Sequence, residues 1–281
     1  MTNDGDADRL ARAVGVIAGG ARRHDTIATG FPSIDNSLGG GMRRGDLVVL
    51  GGEVGAGKSA LALAIALRAV QSGARVTFRS GEMEPERIAE RALAIEARVR
   101  LDDMRRGTLD DEGRSKLAAA GARVDQQLPG LLAITPDELA RIDEDPNALA
   151  DVDLVVVDPL QALASGARPL EEDMAVAART LKRVAVARDV CVLATSHLPF
   201  LVRDRKDPRP QLDDFGALGA VKQFADVVLG LYRHEMYDSA PDVDGATELI
   251  VLKNRNGARG YIDLYFYKQW MRFEDMLEPD R

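Results

Sequence analysis

Apolar residues along this chain fall into two kinds of run. Short, nearly unbroken stretches of Val, Leu and Ile stand at Asp46 to Gly51, Arg75 to Ser80, Gly130 to Thr135, Leu154 to Asp158 and Val190 to Ser196. Longer stretches with a helical apolar period, Lys58 to Ser72, Pro85 to Val99 and Leu170 to Arg188, lie among them. Unbroken apolar runs read as strands buried on both faces, and periodic ones as helices with a covered side. Their alternation predicts an α/β chain with a mostly parallel sheet flanked by helices. After Asp226 the pattern changes, and Val227 to Tyr232, Glu248 to Lys253 and Tyr261 to Tyr267 read as strands joined by turns. The last two flank Asn256-Gly257, a pair suited to the left-handed backbone of a tight turn, which predicts a C-terminal antiparallel hairpin.

The front of the chain is different. Leu10, Val14 and Ile17 fall at helical spacing before Gly19-Gly20 and Arg22-Arg23 break the pattern. Residues 1–24 are therefore expected to form a short helix and linker, residues 25–276 one folded domain, and residues 277–281 a tail. A length of 281 residues suffices for one large domain with a full core. No apolar run reaches the roughly 18 residues that a membrane span needs. The polar, acidic start from Met1 to Arg9 fits neither a secretory signal nor a transit peptide, so a cytoplasmic location without membrane contact is expected. The single cysteine, Cys191, sits in a strand-like run and reads as a small buried hydrophobe. With it and only His24, His197 and His234, no Cys-rich zinc module is built. A net charge of -8 argues against a surface coated with basic groups, so any contact with nucleic acid must come from particular segments.

Candidate chemistry concentrates after the first predicted strand. Gly52, Glu53, Val54, Gly55, Ala56, Gly57, Lys58 and Ser59 fit the spacing of a phosphate-binding loop, between a strand and a helix as that motif requires. The glycines let backbone N–H groups wrap phosphates, and the helix aims its positive end at them. Lys58 is the counter-charge for the β and γ phosphates, and the Ser59 hydroxyl a ligand for Mg²⁺, so ATP with Mg²⁺ is the expected cofactor set. Hydrolysis also needs a carboxylate near the metal and a group that polarises water. Asp158 ends a buried strand at the edge where ligands bind in parallel sheets and is placed to hold the metal, through water. Glu82, just past the strand ending at Ser80, reaches the same edge and is the candidate for polarising the attacking water. His197 ends the next strand and is a candidate sensor of the γ-phosphate.

Further segments carry a resemblance. They are Thr29-Gly30 through Asp35, Ser80-Gly81-Glu82-Met83, Asp158-Pro159-Leu160-Gln161, Tyr232-Arg233-His234-Glu235, Lys253-Asn254-Arg255-Asn256-Gly257 and Gln269-Trp270-Met271-Arg272-Phe273. In order and spacing they resemble the C-terminal ATPase domain of the DnaB family of replicative helicases. The resemblance covers residues 25–276 and implies a RecA-like P-loop NTPase that assembles as a homo-oligomeric ring, usually a hexamer, around single-stranded DNA. By that resemblance Glu82 is the catalytic glutamate, Asp158 the aspartate on the metal side, and Lys253 and Arg255 the pair that a neighbouring subunit supplies to the γ-phosphate.

The resemblance also makes Phe200 to Ala220 the loop that follows the DNA backbone. It holds the cations Arg203, Arg205, Lys206 and Arg209 and the glycines Gly216 and Gly219. Where the family has Leu-Arg-Glu-Ser-Gly, this chain has Phe215-Gly216-Ala217-Leu218-Gly219, and His197 stands in place of a Gln. Only some 24 residues precede the match, so a separate protein is expected to supply the family's N-terminal helical domain. Two other functions share these motifs: a RecA-fold ATPase of recombination or regulation, similar to RadA or KaiC, and a nucleotide-gated assembly or loader protein that does not unwind DNA.

Overall fold

The computed structural model describes residues 15, 26–127, 149, 151–199, 205–237 and 243–276. The expected helix near Asp8 to Ile17, the expected strand Gly130 to Thr135 and the tail 277–281 lie outside these residues, apart from Gly15.

A two-stranded ribbon of β1 (Thr26–Ile27) and β2 (Met42–Arg43) brackets the short helix α1 (Pro32–Ser37). The main sheet follows with β3 (Leu47–Gly52), β4 (Val76–Ser80), β5 (Leu154–Asp158), β6 (Cys191–His197), β7 (Val227–Arg233), β8 (Ala246–Asn254), β9 (Gly260–Tyr267) and β10 (Arg272–Asp275). Its order is β10-β9-β8-β7-β3-β6-β5-β4. The strands from β7 to β4 in that order are mutually parallel, and β8, β9 and β10 run antiparallel. The predicted α/β class, parallel sheet and hairpin are all present.

β3 is central because both of its faces are apolar. Val48 and Leu50 enter one core, Leu47 and Val49 the other. The first core lies under α2 (Lys58–Gln71) and α3 (Pro85–Ala97) and continues into Leu249, Val251, Ile262, Leu264 and Phe266 of the hairpin. In α2, alternating Ala, Leu and Ile are buried almost all round, as a helix set deep against a sheet requires. The second core lies under α6 (Leu170–Arg188) and α7 (Ala220–Phe224). Helices α4 (Leu101–Arg106) and α5 (Asp111–Gln127), which the apolar pattern did not reveal, pack with α3 through a small satellite core of Ala97, Val99 and Ala120. Cys191 is fully buried in β6, and its thiol is pushed well above the usual range by burial.

This topology sorts the candidate residues by height. Parallel strands bring the C-terminal ends of β3, β4, β5 and β6 to one edge, where Gly52 is level with His197 and Ser80 with Asp158. The hairpin puts Lys253 level with Val228 and Asn254 with Val227, at the opposite edge.

Candidate nucleotide site

The loop after β3 turns through Gly55 (φ 85°) and Gly57 (φ 98°), left-handed positions that favour glycine. At Gly57 a Cβ would also lie 3.0 Å from Phe273 Cζ, so β10 packs directly against the loop. Val54 at the tip is 75% exposed, whereas Lys58 at the start of α2 is 4% exposed. The Lys58 ammonium donates to the Glu53 carbonyl at 2.8 Å, and burial pulls its pKa down to about 8. An ammonium taken out of water at the base of this loop is suited to a polyanion, which restores the lost solvation. Arg233, at the end of β7, donates to the Gly55 carbonyl at 2.9 Å and fixes the far side of the loop. Tyr237 hydrogen-bonds the Glu53 carboxylate, and its hydroxyl is raised by burial and by that charge.

The carboxylate expected at the end of β5 is in place. Asp158 is 1% exposed, and its Oδ1 accepts from Ser59 Oγ at 3.0 Å and from Thr195 Oγ1 at 2.5 Å. Burial raises its pKa, with those two hydrogen bonds opposing. Asp158 Oδ2 is buried, and no protein group among the described residues donates to it. A buried carboxylate oxygen without a donor, next to the Ser59 hydroxyl, fits the outer shell of a hydrated divalent cation.

Glu82 and His197 meet above this pair. His197 Nε2 lies 2.8 Å from Glu82 Oε1, and His197 Nδ1 is buried with no hydrogen-bond partner among the described residues. The Ser80 hydroxyl accepts from the Glu82 and Met83 N–H groups and so sets the turn that carries Glu82 to the edge. Gln161 holds the His197 backbone from both sides: its amide donates to the His197 carbonyl at 3.0 Å and its oxygen accepts the His197 N–H at 3.2 Å. Thr195, Gln161 and Arg233 therefore belong to the site beside the residues picked from the sequence. A polar Thr within the apolar strand ending at Ser196-His197 was the available signal for the first of them.

Lys253 and Arg255 do not join this group. Lys253 Nζ donates to the carbonyls of Lys222 and Ala225, and Arg255 Nη1 donates to Asp226 Oδ1 at 3.0 Å. Both stand at the edge of the sheet opposite the phosphate loop, where the Arg255 side chain is 50% exposed.

The basic loop is partly committed to internal pairs. Arg203 lies outside the described residues. Arg205 is held by both oxygens of Asp214 at 3.0 and 2.9 Å, and Arg209 grips Glu248 at 2.6 and 2.7 Å. Lys206 is exposed. Gly216 (φ 56°) and Gly219 (φ 79°) both take left-handed backbone, and between them Ala217 and Leu218 are held at φ 52° and 50°. Side chains seldom adopt that region, and Leu218 is 72% exposed there.

The model of the DnaB-like helicase C terminal domain matches residues 26–275. The chain belongs to that family. It is 30% identical over 261 residues to the replicative DNA helicase DnaC of Bacillus subtilis (strain 168), a match covering 89% of this chain and 56% of that protein. To the replicative DNA helicase DnaB of Leifsonia xyli it is 32% identical over 267 residues, with the same shares covered. The chain thus spans about half the length of these relatives. Among solved structures, the ATPase domain of G40P superposes with a TM-score of 0.86 at 24% identity, over 98% of this chain and 100% of that one. A DnaB-like replicative helicase whose structure describes its interactions with primase gives 0.85 at 23%, over 96% of this chain and 66% of that one. These two likenesses show the fold, that of a DnaB-like ATPase domain.

Proposed function

We propose that this chain is the ATP-hydrolysing motor domain of a DnaB-type replicative helicase, working on single-stranded DNA as a homo-oligomeric ring, hexameric in the family's usual form. One observation carries the reading: the phosphate loop with Asp158 and Glu82 stands at one end of the sheet, while Lys253 and Arg255 stand at the other. A chain so built cannot bring its own Arg255 to its own nucleotide, and two chains in head-to-tail contact can.

In such a contact Lys58 and the loop N–H groups bind the phosphates of ATP, and Ser59 and Asp158 are the residues that would hold Mg²⁺, Asp158 through water. The charge neutralisation that Mg²⁺ would supply there complements that of Lys58. Glu82 accepts a proton from the attacking water, and His197, its present partner, turns to the γ-phosphate. Lys253 and Arg255 of the adjacent subunit stabilise the charge that develops on the transferred group. Lys206, with Arg203, meets DNA phosphates, and backbone N–H groups around Gly216 and Gly219 supply what the absent Arg side chain does not. Arg205 and Arg209 can join only by exchanging their present carboxylates for phosphate.

The test is ATP turnover with and without single-stranded DNA, on material of measured mass, for the wild type and Arg255→Ala. The expected result is an oligomer with DNA-stimulated turnover that the substitution lowers by about 10³-fold while nucleotide affinity is kept. Turnover unchanged by Arg255→Ala would sink the subunit-bridging role, and turnover indifferent to DNA would sink the motor.

A further inference from the structure

Asp226 occupies a position that the nucleotide chemistry above does not explain. It is 4% exposed, at the turn between α7 and β7, and its contacts draw together the start of β3, helix α6 and the turn after β8. Its backbone N–H donates to the Leu47 carbonyl at 2.8 Å, and the Leu47 N–H donates to its Oδ2 at 2.9 Å, so it clasps the first residue of β3 twice. Lys182 of α6 donates to the same Oδ2 at 2.6 Å. The other oxygen, Oδ1, accepts from Arg255 Nη1 at 3.0 Å, and the Asp226 carbonyl accepts the Arg255 N–H at 2.9 Å. Arg255 Nη2 is held by the Gln223 carbonyl at 2.9 Å.

A half-exposed arginine on a hairpin ordinarily samples many rotamers, and ordering it when a phosphate arrives costs free energy at the moment of reaction. Here the backbone N–H is fixed to the Asp226 carbonyl, Nη1 to its buried carboxylate and Nη2 to the Gln223 carbonyl, while the side chain stays 50% exposed. Lys182 neutralises the second oxygen, so Asp226 holds the arginine without drawing all of its charge. We infer that Asp226 is a positioning residue for Arg255, presenting it preorganised to the nucleotide of the neighbouring subunit and tying it rigidly to the base of the strand that ends in this subunit's own phosphate loop. The inference rests on the proposed role of Arg255 across a subunit boundary. Its mechanical part follows from β3: Leu47 is fixed to Asp226, and five residues later Gly52 opens the loop, roughly 16 Å away at a strand rise of about 3.3 Å per residue.

The experiment is a double-mutant cycle on the full chain with Asp226→Asn, Arg255→Ala and both together. It reads kcat at saturating Mg-ATP, nucleotide affinity and oligomer mass. Asp226→Asn is expected to lower kcat by about tenfold or more, as losing one charge-assisted hydrogen bond to a transition-state group implies, with affinity and mass unchanged. The double variant should be no slower than Arg255→Ala alone, because a residue acting only through Arg255 has nothing to lose once Arg255 is gone. Full kcat in Asp226→Asn, losses that multiply in the double variant, or a collapse of affinity or assembly would each assign Asp226 to the scaffold and overturn the inference. If Asp226→Asn does not fold, Asp226→Glu carries the same cycle with the same criteria, since it keeps the charge beside Lys182 while shifting the carboxylate against Arg255. Should Arg255→Ala itself keep full turnover, the bridging role fails; if Arg255→Ala is slow and Asp226→Asn is fast, that role stands and only the positioning fails.

Discussion

His197 Nε2 and Glu82 Oε1 lie 2.8 Å apart although they come from strands that are not neighbours, since β5 runs between β4 and β6. Their contact therefore spans the end of β5, where Asp158 sits, and couples the group proposed to polarise water to the group proposed to sense phosphate. Glu82→Gln keeps the hydrogen bond but loses the base. Turnover is expected to fall by about 10²-fold or more with ATP affinity retained, whereas His197→Gln, which keeps a donor, should cost less than tenfold. Steady-state kinetics with a separate binding measurement checks both, and equal losses in the two variants would contradict the assignment of the base.

Lys58 carries a pH signature. Burial sets its folded pKa at about 8, against 10.5 for an ordinary lysine. Below pH 8 the amine is charged in both folded and unfolded chains and the folded state bears the cost of desolvating it; that cost is relieved as pH rises from 8 toward 10.5. Phosphates favour the charged form, so nucleotide binding near pH 9 should take up about one proton, and affinity should weaken as pH climbs past the folded value. Calorimetry in buffers of differing protonation enthalpy reads the uptake directly. Proton-neutral binding near pH 9 would show that the ammonium is not desolvated in the free site.

The unpartnered oxygen of Asp158 predicts how the metal dependence changes. Asp158→Asn puts an amide donor beside Ser59 and Thr195 and removes the charge a cation requires. Mg²⁺ titrations of turnover should shift to concentrations at least about tenfold higher, while binding of metal-free nucleotide, relieved of a nearby negative charge, should hold or improve. An unchanged Mg²⁺ requirement would remove Asp158 from the metal's shell.

Phe273 links stability to the loop. It is fully buried, stacks on Phe266 with ring centroids 4.4 Å apart, and lies against Gly57. Phe273→Ala should destabilise the domain by about 3–5 kcal/mol, measured by denaturant unfolding. Nucleotide affinity should fall with it, because Gly57 loses the ring that backs it; a destabilised variant with intact affinity would show that the loop keeps its shape unaided.

The central sheet was legible because burial wrote it plainly. Leu154–Asp158 and Leu170–Arg188 stand at the bounds their apolar runs predicted, and Asn256-Gly257 does join β8 to β9. β10 was not legible: Arg-Phe-Glu-Asp offers one apolar residue, and its place depends on pairing with β9 and on Arg68 reaching Glu274. α5 was hidden for a related reason, since Leu117 and Val124 are its only large apolar residues and its start, Asp-Glu-Gly-Arg-Ser-Lys, is polar. The ends of strands carried Glu82, Asp158 and His197 to the edge where Ser59 opens α2, as the alternation implied. The pairings that give Arg205 to Asp214, Arg209 to Glu248 and Thr195 to Asp158 are settled by tertiary register, and no local pattern announces them.

The separation of Lys58 from Arg255 along one sheet has a kinetic meaning. On the proposed reading the competent unit is a junction, so in dilute solution the rate of ATP consumption should rise as the square of chain concentration, while the fraction of chains holding ATP depends on ATP alone. A stray subunit would be loaded but idle, and the fold itself would guard the nucleotide pool against futile hydrolysis by chains that have not assembled.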